Sequence, residues 1–159
     1  DYVALQKSGD FDDPRANGAH MASGFVRSLN GDVFRDVLGS FEPNPDRGTW
    51  VIFTHGGGAI GRVAPDSTAF VHRDKPHSIL SLVGWRAGRN PAADIAYHRQ
   101  AHQAWKHHTD GFYTNDLADE TQAEINSTYW ANHARLVEVK NQYDPTNLFS
   151  VNANIRPNV

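Results

Sequence analysis

The sequence predicts an α+β fold, an antiparallel β-sheet with helices packed on one face. Two observations carry that reading. Three short strand-like runs, residues 50–54, 68–73 and 78–85, follow one another with short polar links, which favours antiparallel pairing over crossovers. Apolar residues recur at helical spacing in separate stretches before and after those runs, so helices segregate against the sheet.

Element by element, Tyr2-Val3-Ala4-Leu5 is strand-like. The rest of residues 1–24 is polar and glycine-containing, with Asp12-Asp13-Pro14 and Asn17-Gly18 as turn signals. Val33, Phe34, Val37, Leu38 and Phe41 form the apolar stripe of a helix over 31–41, which Asn30 or Asp32 can cap. Glu42-Pro43-Asn44-Pro45-Asp46 breaks it. Trp50-Val51-Ile52-Phe53-Thr54 is β-branched and aromatic and lies between glycines. Thr68 to Arg73 is the second run. Ser78 to Trp85 is nearly continuous in apolar character, which puts it at the centre of the sheet. Asn90 and Pro91 open a helix that runs to about His108, with Tyr97, Ala101, Ala104 and Trp105 on one face. Gly111-Phe112-Tyr113-Thr114-Asn115 reads as a short strand or extended turn. Asp119-Glu120 starts a helical stretch to about Trp130. In the terminal helix, Leu136, Val139 and Tyr143 fall on one face, and Asp144-Pro145 stops it, because a residue before proline is pushed out of the α region. Leu148 and Phe149 then need a surface to bury against.

At 159 residues and 39% apolar, with 8 Phe, 5 Tyr and 4 Trp, the chain has the material for one domain, or a domain with an appendage. A net charge of −3 supplies no basic footprint for nucleic acid or an anionic membrane. No apolar run approaches the roughly 18 residues of a membrane-spanning helix. With no cysteine, disulfides, thiol catalysis, thiolate metal sites and a cysteinyl bond to a flavin are excluded within these residues. The chain opens Asp1-Tyr2-Val3 without a methionine, as a processed or excised piece would.

Several motifs have two readings. Gly56-Gly57-Gly58-Ala59-Ile60-Gly61 satisfies G-x-G-x-x-G after a strand, but Arg62 to Thr68 is a poor helix, so a glycine-rich turn is the better reading. His98 and His102 lie four apart on a predicted helix, with His107 and His108 beyond. That spacing can chelate a metal, yet Arg99 occupies the place of a zincin glutamate, so surface or helix-end histidines are expected and no metal site is assigned. Asn126-Ser127-Thr128 fits a glycosylation sequon inside a helix. His72-Arg73-Asp74-Lys75 is either a solvated turn or a place where Arg73 holds a carboxylate or cofactor oxygen. Tyr113 and Asn115, two apart on a strand, would point to the same face, where a phenol can act as a base or be a buried, satisfied hydroxyl.

The terminal run from Tyr129 to Phe149, an aromatic-Asn-x-x-Arg-Leu helix leading into Tyr143-Asp144-Pro145-Thr146-Asn147-Leu148-Phe149, resembles the C-terminal signature of berberine-bridge-enzyme-like FAD-linked oxidases. Trp50 to Gly58, Thr68 to Arg73, the strand ending Gly84-Trp85, and Tyr113-Thr114-Asn115 are similar to that family's substrate domain in the same order. Leu5-Gln6, Asp10 and Ser23-Gly24-Phe25 match more loosely. The resemblance divides the chain into residues 1–112, part of a substrate-binding sheet domain, and residues 113–159, a Tyr-x-Asn segment with the C-terminal segment. It implies an oxidase that moves hydride from an alcohol, sugar or amine carbon to FAD, with O2 as acceptor. Tyr113 would be the base, and Asn115, Arg73, Asn147 and Asn152 would lie against the cofactor. Relatives often carry a carboxylate or amide near the position of Leu80, which puts a second base in doubt. The N-terminal flavin-binding domain has no counterpart in this sequence. FAD is therefore expected in the full-length protein and not to be retained by this chain alone. The expected partners are an N-terminal FAD-binding domain or chain and a small-molecule substrate, with self-association through an exposed apolar tail, and neither nucleic acid nor membrane. The rival readings are a non-catalytic binding module that keeps the sheet, and a histidine metal site on the 98–108 helix.

Overall fold

The computed structural model describes residues 1–7, 17–116 and 119–159. In chain order they form α1 (Tyr2–Lys7), β1 (Asn17–Val26), α2 (Gly31–Gly39), β2 (Gly48–His55), β3 (His77–Arg86), α3 (Ala92–Trp105), α4 (Gln122–Thr128) and α5 (Asn132–Tyr143). The sheet has the order β1-β3-β2, with β3 antiparallel to both neighbours. The fold is α+β, and the apolar run at 78–85 is central as the sequence predicts.

Alternation along β3 sends Ile79, Ser81 and Val83 to one face, all buried. The register sets Val26, Gly24 and Ala22 of β1 and Phe53 and Val51 of β2 beside them. Helices α2 and α3 cover this face. Val26, Val33, Val37, Ile79 and Trp105 make the core, with Leu29, Phe41, Val51 and Phe53 packed around it. Asn30 caps α2, its side chain accepting from Asp32 N and Val33 N at 3.1 and 3.0 Å. At α3 the N-cap is Pro91, and Asn90 before it accepts from Ala92 N at 3.0 Å. The buried stripe of α3 is Asp94, His98, Ala101 and Trp105, not the expected Tyr97-Ala101-Ala104-Trp105 face. Asp94 can sit there because Arg47 Nε and Arg89 Nε lie 3.1 and 3.3 Å from its carboxylate, and a buried charge needs such partners.

The sheet's second face carries Met21, Ser23, Leu80, Leu82, Trp50 and Ile52. Trp50 and Ile52 are 54% and 44% exposed, so this apolar face is open along β2.

Four expectations are corrected. Tyr2–Leu5 is helical, within α1, with Asp1 Oδ1 accepting from Ala4 N at 2.8 Å, and no residue of that helix is buried. Asn17-Gly18 is not a turn but the start of β1. Asp12-Asp13-Pro14 and Asp10 lie outside the described residues. Thr68–Arg73 is irregular rather than a strand. Asn132 Nδ2 donates to Pro65 O and Thr68 O at 2.8 and 2.9 Å, and Arg73 donates to Ile60 O at 3.2 Å and Thr68 Oγ1 at 2.7 Å. Side chains thus satisfy carbonyls that a strand partner would otherwise take. Finally, α4 starts at Gln122 rather than at Asp119-Glu120. Thr121 and Glu124 form a capping box there.

After β2, the glycine-rich segment turns through Gly58 (φ 71°) into a 3-10 turn at Ile60–Arg62 and presents no α-helix N-terminus to a phosphate. The stop after α5 is built by Asp144. Its carboxylate accepts from Leu148 N at 2.7 Å, from Phe149 N at 3.1 Å and from Lys140 Nζ. The Lys140 bond is the main reason this carboxyl lies below its ordinary range. The tail returns along the helices. Gln122 Nε2 donates to Asn154 O at 2.8 Å, and Asn141 and Asn158 exchange two bonds of 2.6 and 2.9 Å. Among the described residues no helix is long and apolar enough to cross a membrane.

Candidate functional site

Tyr113 is held at the edge of the sheet by backbone bonds. Asp110 N donates to Phe25 O (2.9 Å), and Phe25 N donates to Gly111 O (3.0 Å), so this segment closes the outer edge of β1. Gly111 has φ 78°, and a Cβ there would meet the His72 ring at 2.1 Å; only glycine fits. Phe112 N donates to Thr128 Oγ1 at 3.1 Å, and Tyr113 N donates to Ser23 Oγ at 3.3 Å. Residues 114–116 then form a 3-10 turn instead of continuing as a strand. The turn folds Asn115 back, and its Nδ2 donates to Tyr113 Oη at 2.7 Å. Tyr113 and Asn115 therefore meet, by a route different from the strand alternation the sequence suggested.

Tyr113 is 44% exposed and lines a cleft of about 200 Å³ with Phe70, Val71, His72, Phe112 and Tyr129. Ser23, which receives the Tyr113 N–H, pairs in register with Leu80 on the open face of the sheet. The cleft, the Tyr113–Asn115 pair and the open face thus adjoin. Leu80 brings no proton acceptor to that face. Asp116, one residue beyond Asn115, does bring a carboxyl: it hydrogen-bonds Ser23, and burial raises its proton affinity above the ordinary value. The sequence carried no signal for Asp116 beyond its place next to the Tyr-x-Asn string.

The His72–Lys75 cluster is not the solvated turn of the sequence reading; His72 and Lys75 are buried. Lys75 Nζ lies 3.4 Å from the centre of the Trp130 ring and 3.3 Å from both Asp74 and Asp110. It is also 3.5 Å from His72 Nδ1, which makes Nδ1 the acceptor and leaves Nε2–H to donate to Thr128 Oγ1 at 3.1 Å. Burial, and after it the Lys75 charge, lowers the His72 pKa to about 4. His72 is a neutral post beneath the Tyr113 segment, stacked on Phe25 with ring centroids 4.5 Å apart.

The residues expected to face a cofactor are spread out. Both terminal nitrogens of Arg73 serve its own loop, and its Nε is buried without a hydrogen-bond partner among the described residues. Asn147 and Asn152 take left-handed backbone conformations, φ 55° and 59°. Asn147 N donates to Asp144 O at 3.0 Å, while Asn147 Oδ1 is buried and also lacks a partner among the described residues.

The expectation of surface histidines on α3 fails at His98, which is fully buried. Its Nε2 lies 2.8 Å from Ser81 Oγ and its Nδ1 2.7 Å from His20 Nδ1, and His20 Nε2 lies 2.7 Å from Asp119 Oδ2. Arg99 grips the same Asp119 at 2.8 and 2.6 Å and, with His20, holds its pKa at about 2. Burial lowers His98 and His102 to about 4. With both nitrogens of His98 engaged, His98 and His102 do not form a chelating pair.

Residues 113–156 match the family model "Berberine and berberine like". The chain is 27% identical over 158 residues, 98% of its length, to an FAD-linked oxidoreductase of Dictyostelium discoideum and spans 34% of that relative. Among solved structures it is similar to a chitooligosaccharide oxidase (TM-score 0.77, 21% identity, 90% of this chain and 33% of that one), a likeness of fold. It is also similar to the xylooligosaccharide oxidase of Myceliophthora thermophila C1 in complex with xylobiose (TM-score 0.72, 26% identity, 89% and 33%). The chain thus carries a berberine-like C-terminal segment and is similar, over nearly its whole length, to an FAD-linked oxidoreductase. It spans about a third of the length of these relatives.

Proposed function

We propose that these residues are the substrate-domain and C-terminal portion of an FAD-linked oxidase acting on an alcohol, sugar or amine carbon, with residues 1–112 contributing to the sheet domain and 113–159 the Tyr-x-Asn and tail segments. The Tyr113–Asn115 hydrogen bond at the mouth of the cleft carries the proposal. Tyr113 takes the proton of the substrate hydroxyl or amine. The proton acceptor is the phenolate form, and Asn115 places on that oxygen the N–H donor that a phenolate needs. Asp116, beside Ser23, offers the second base that Leu80 does not supply. When bound, FAD would accept the hydride and pass the electrons on to O2. The orphaned Asn147 Oδ1 suits the N–H edge of a flavin ring, and the orphaned Arg73 Nε suits an oxygen, so the residues present fit that group. Asn115 and Asn152 complete the set proposed to lie against it. The chain alone is not expected to retain FAD, and a flavin-binding domain or chain is the proposed partner for its exposed tail. The xylobiose in the xylooligosaccharide oxidase structure favours a sugar among the three substrate classes.

Tyr113→Phe in the flavin-loaded oxidase is expected to lower turnover by about 10²–10⁴-fold, the usual weight of general-base catalysis. A loss under about tenfold would reduce Tyr113 to a packing residue and favour the alternative of a non-catalytic binding module, the reading that Leu80 supports.

A further inference from the structure

Three metal-ligating side chains, none of which lines the Tyr113 cleft, gather where α2 meets the end of α3. Asp36 lies on α2, and His107 and His108 lie on the 3-10 turn Lys106–His108 that follows α3. One potential ligand atom of each falls within 4.8 Å of the others. Asp36 Oδ2 is 2.8 Å from His108 Nε2 and 3.6 Å from His107 Nε2. In a tetrahedral site with metal–ligand bonds near 2.0–2.1 Å, neighbouring ligand atoms stand about 3.3–3.4 Å apart. The two observed distances bracket that value, so small side-chain rotations suffice. The tight turn sets the two imidazoles at a tilt of 39° with centroids 3.9 Å apart and brings both rings to Asp36.

The surroundings leave Asp36 to the imidazoles. The neighbouring cations are engaged elsewhere: Arg35 Nη2 binds Asp32, and Lys106 Nζ binds Glu124 at 2.6 Å. The His107 side chain is 61% exposed, which gives an ion an entry path and leaves a coordination position facing water. The cross-strand pair His55 and His77, with Nδ1 atoms 3.3 Å apart, is a useful contrast: close, but with only two ligands.

We propose that Asp36, His107 and His108 form a site for zinc or a comparable borderline divalent cation, bound through two imidazole nitrogens and one carboxylate oxygen. Two imidazoles with a carboxylate suit zinc, copper, nickel or iron rather than the hard, all-oxygen preference of magnesium or calcium. A bound ion clips the end of α3 to α2, the two helices that cover the sheet. This site moves the histidine metal reading of the 98–108 stretch from His98 and His102 to its end, and it is independent of the flavin reading.

The test is calorimetric titration of the chelator-treated chain with Zn(II), paired with thermal melting with and without the ion. One saturable zinc per chain and a raised melting temperature are expected. His107→Ala is the informative variant, because its exposed side chain carries little packing. It should lower affinity by at least about tenfold, no less than the loss of an outer-shell partner costs a metal site, and abolish the melting shift. Asp36→Asn should behave in the same direction. The His55→Ala/His77→Ala double variant should change neither readout. No saturable binding, an unchanged affinity in His107→Ala, or a loss confined to the His55/His77 variant would each overturn the assignment.

Discussion

The two faces of the sheet are built from similar apolar residues and have opposite fates. On the helix side Val26, Ile79 and Val83 are 2%, 0% and 0% exposed, and Trp105 closes over them. On the other side Trp50 and Ile52 are half in solvent, and in the tail Leu148 and Phe149 are each 76% exposed. The difference is not composition but cover. Two helices of this chain pack on the first face, whereas the second adjoins the Tyr113 cleft and is left open. Contiguous exposed apolar surface marks an interaction site, and the proposed substrate and flavin-domain partner would occupy it. The covered face then supplies stability, and under the proposed function the open face would serve the chemistry.

The strongest way to break that division is Trp105→Ala. The indole is fully buried against the core, so its loss is expected to cost about 3–5 kcal/mol. Chemical denaturation monitored by far-ultraviolet circular dichroism measures it. A cost below about 1 kcal/mol would mean that the helix-side core does not hold the fold together.

Acid sharpens the comparison, because buried histidines lie on both sides. His98 is under the helix-side face and His72 under the Tyr113 segment; both, with His102, are held at about 4 against the ordinary 6.5. As pH falls through 6.5 the unfolded chain takes up protons that the folded chain refuses until about 4. Stability is therefore present above about 6.5 and declines between those values. Below that window Asp119 and Glu124, lowered to about 2 by their Arg99 and Lys106 bonds, continue the loss in the same direction. Among the described carboxyls Asp116 opposes it, since its proton affinity is raised. The midpoint of urea unfolding should drop steadily from pH 7 to 4. A flat profile would show these rings to be solvated.

Much of the covered side was legible in the sequence. β-Branched, aromatic and continuous apolar character identified β2 and β3, and start or stop signals with apolar spacing marked α2, α3 and α5. What escaped was packing by smallness. In β1, Gly18 and Gly24 admit Trp85 and Thr109, where a Cβ would come within 2.4 Å, so Ala19–Gly24 lacks the bulky residues that signal a strand. Thr68–Arg73 has strand-like composition, yet Asn132, sixty-odd positions away, and Arg73 fold it into a loop, and no local pattern encodes that. His98 reads as polar, and only tertiary structure brings Ser81 and His20 to satisfy it. At the site, the Tyr113-Asn115 pairing was visible as a string, but the turn that joins the two side chains and the neighbouring Asp116 carboxyl were not.

The tail gives the smallest effect on stability and the sharpest contrast with Trp105. Phe149 would cost about 3–5 kcal/mol on truncation if it were buried, but its ring is mostly in solvent and its backbone is what the structure holds, through Asp144 and Lys140. Phe149→Ala should therefore shift the stability of this chain by no more than about 0.5 kcal/mol. Its effect should appear instead in association. If Leu148 and Phe149 are anchors for another surface, the chain should self-associate as its concentration rises, and Leu148→Asp/Phe149→Asp should keep it monomeric in sedimentation experiments while leaving the melting temperature in place. A large stability loss in Phe149→Ala would instead place the ring inside this chain's own packing and remove the tail from the open side of the comparison.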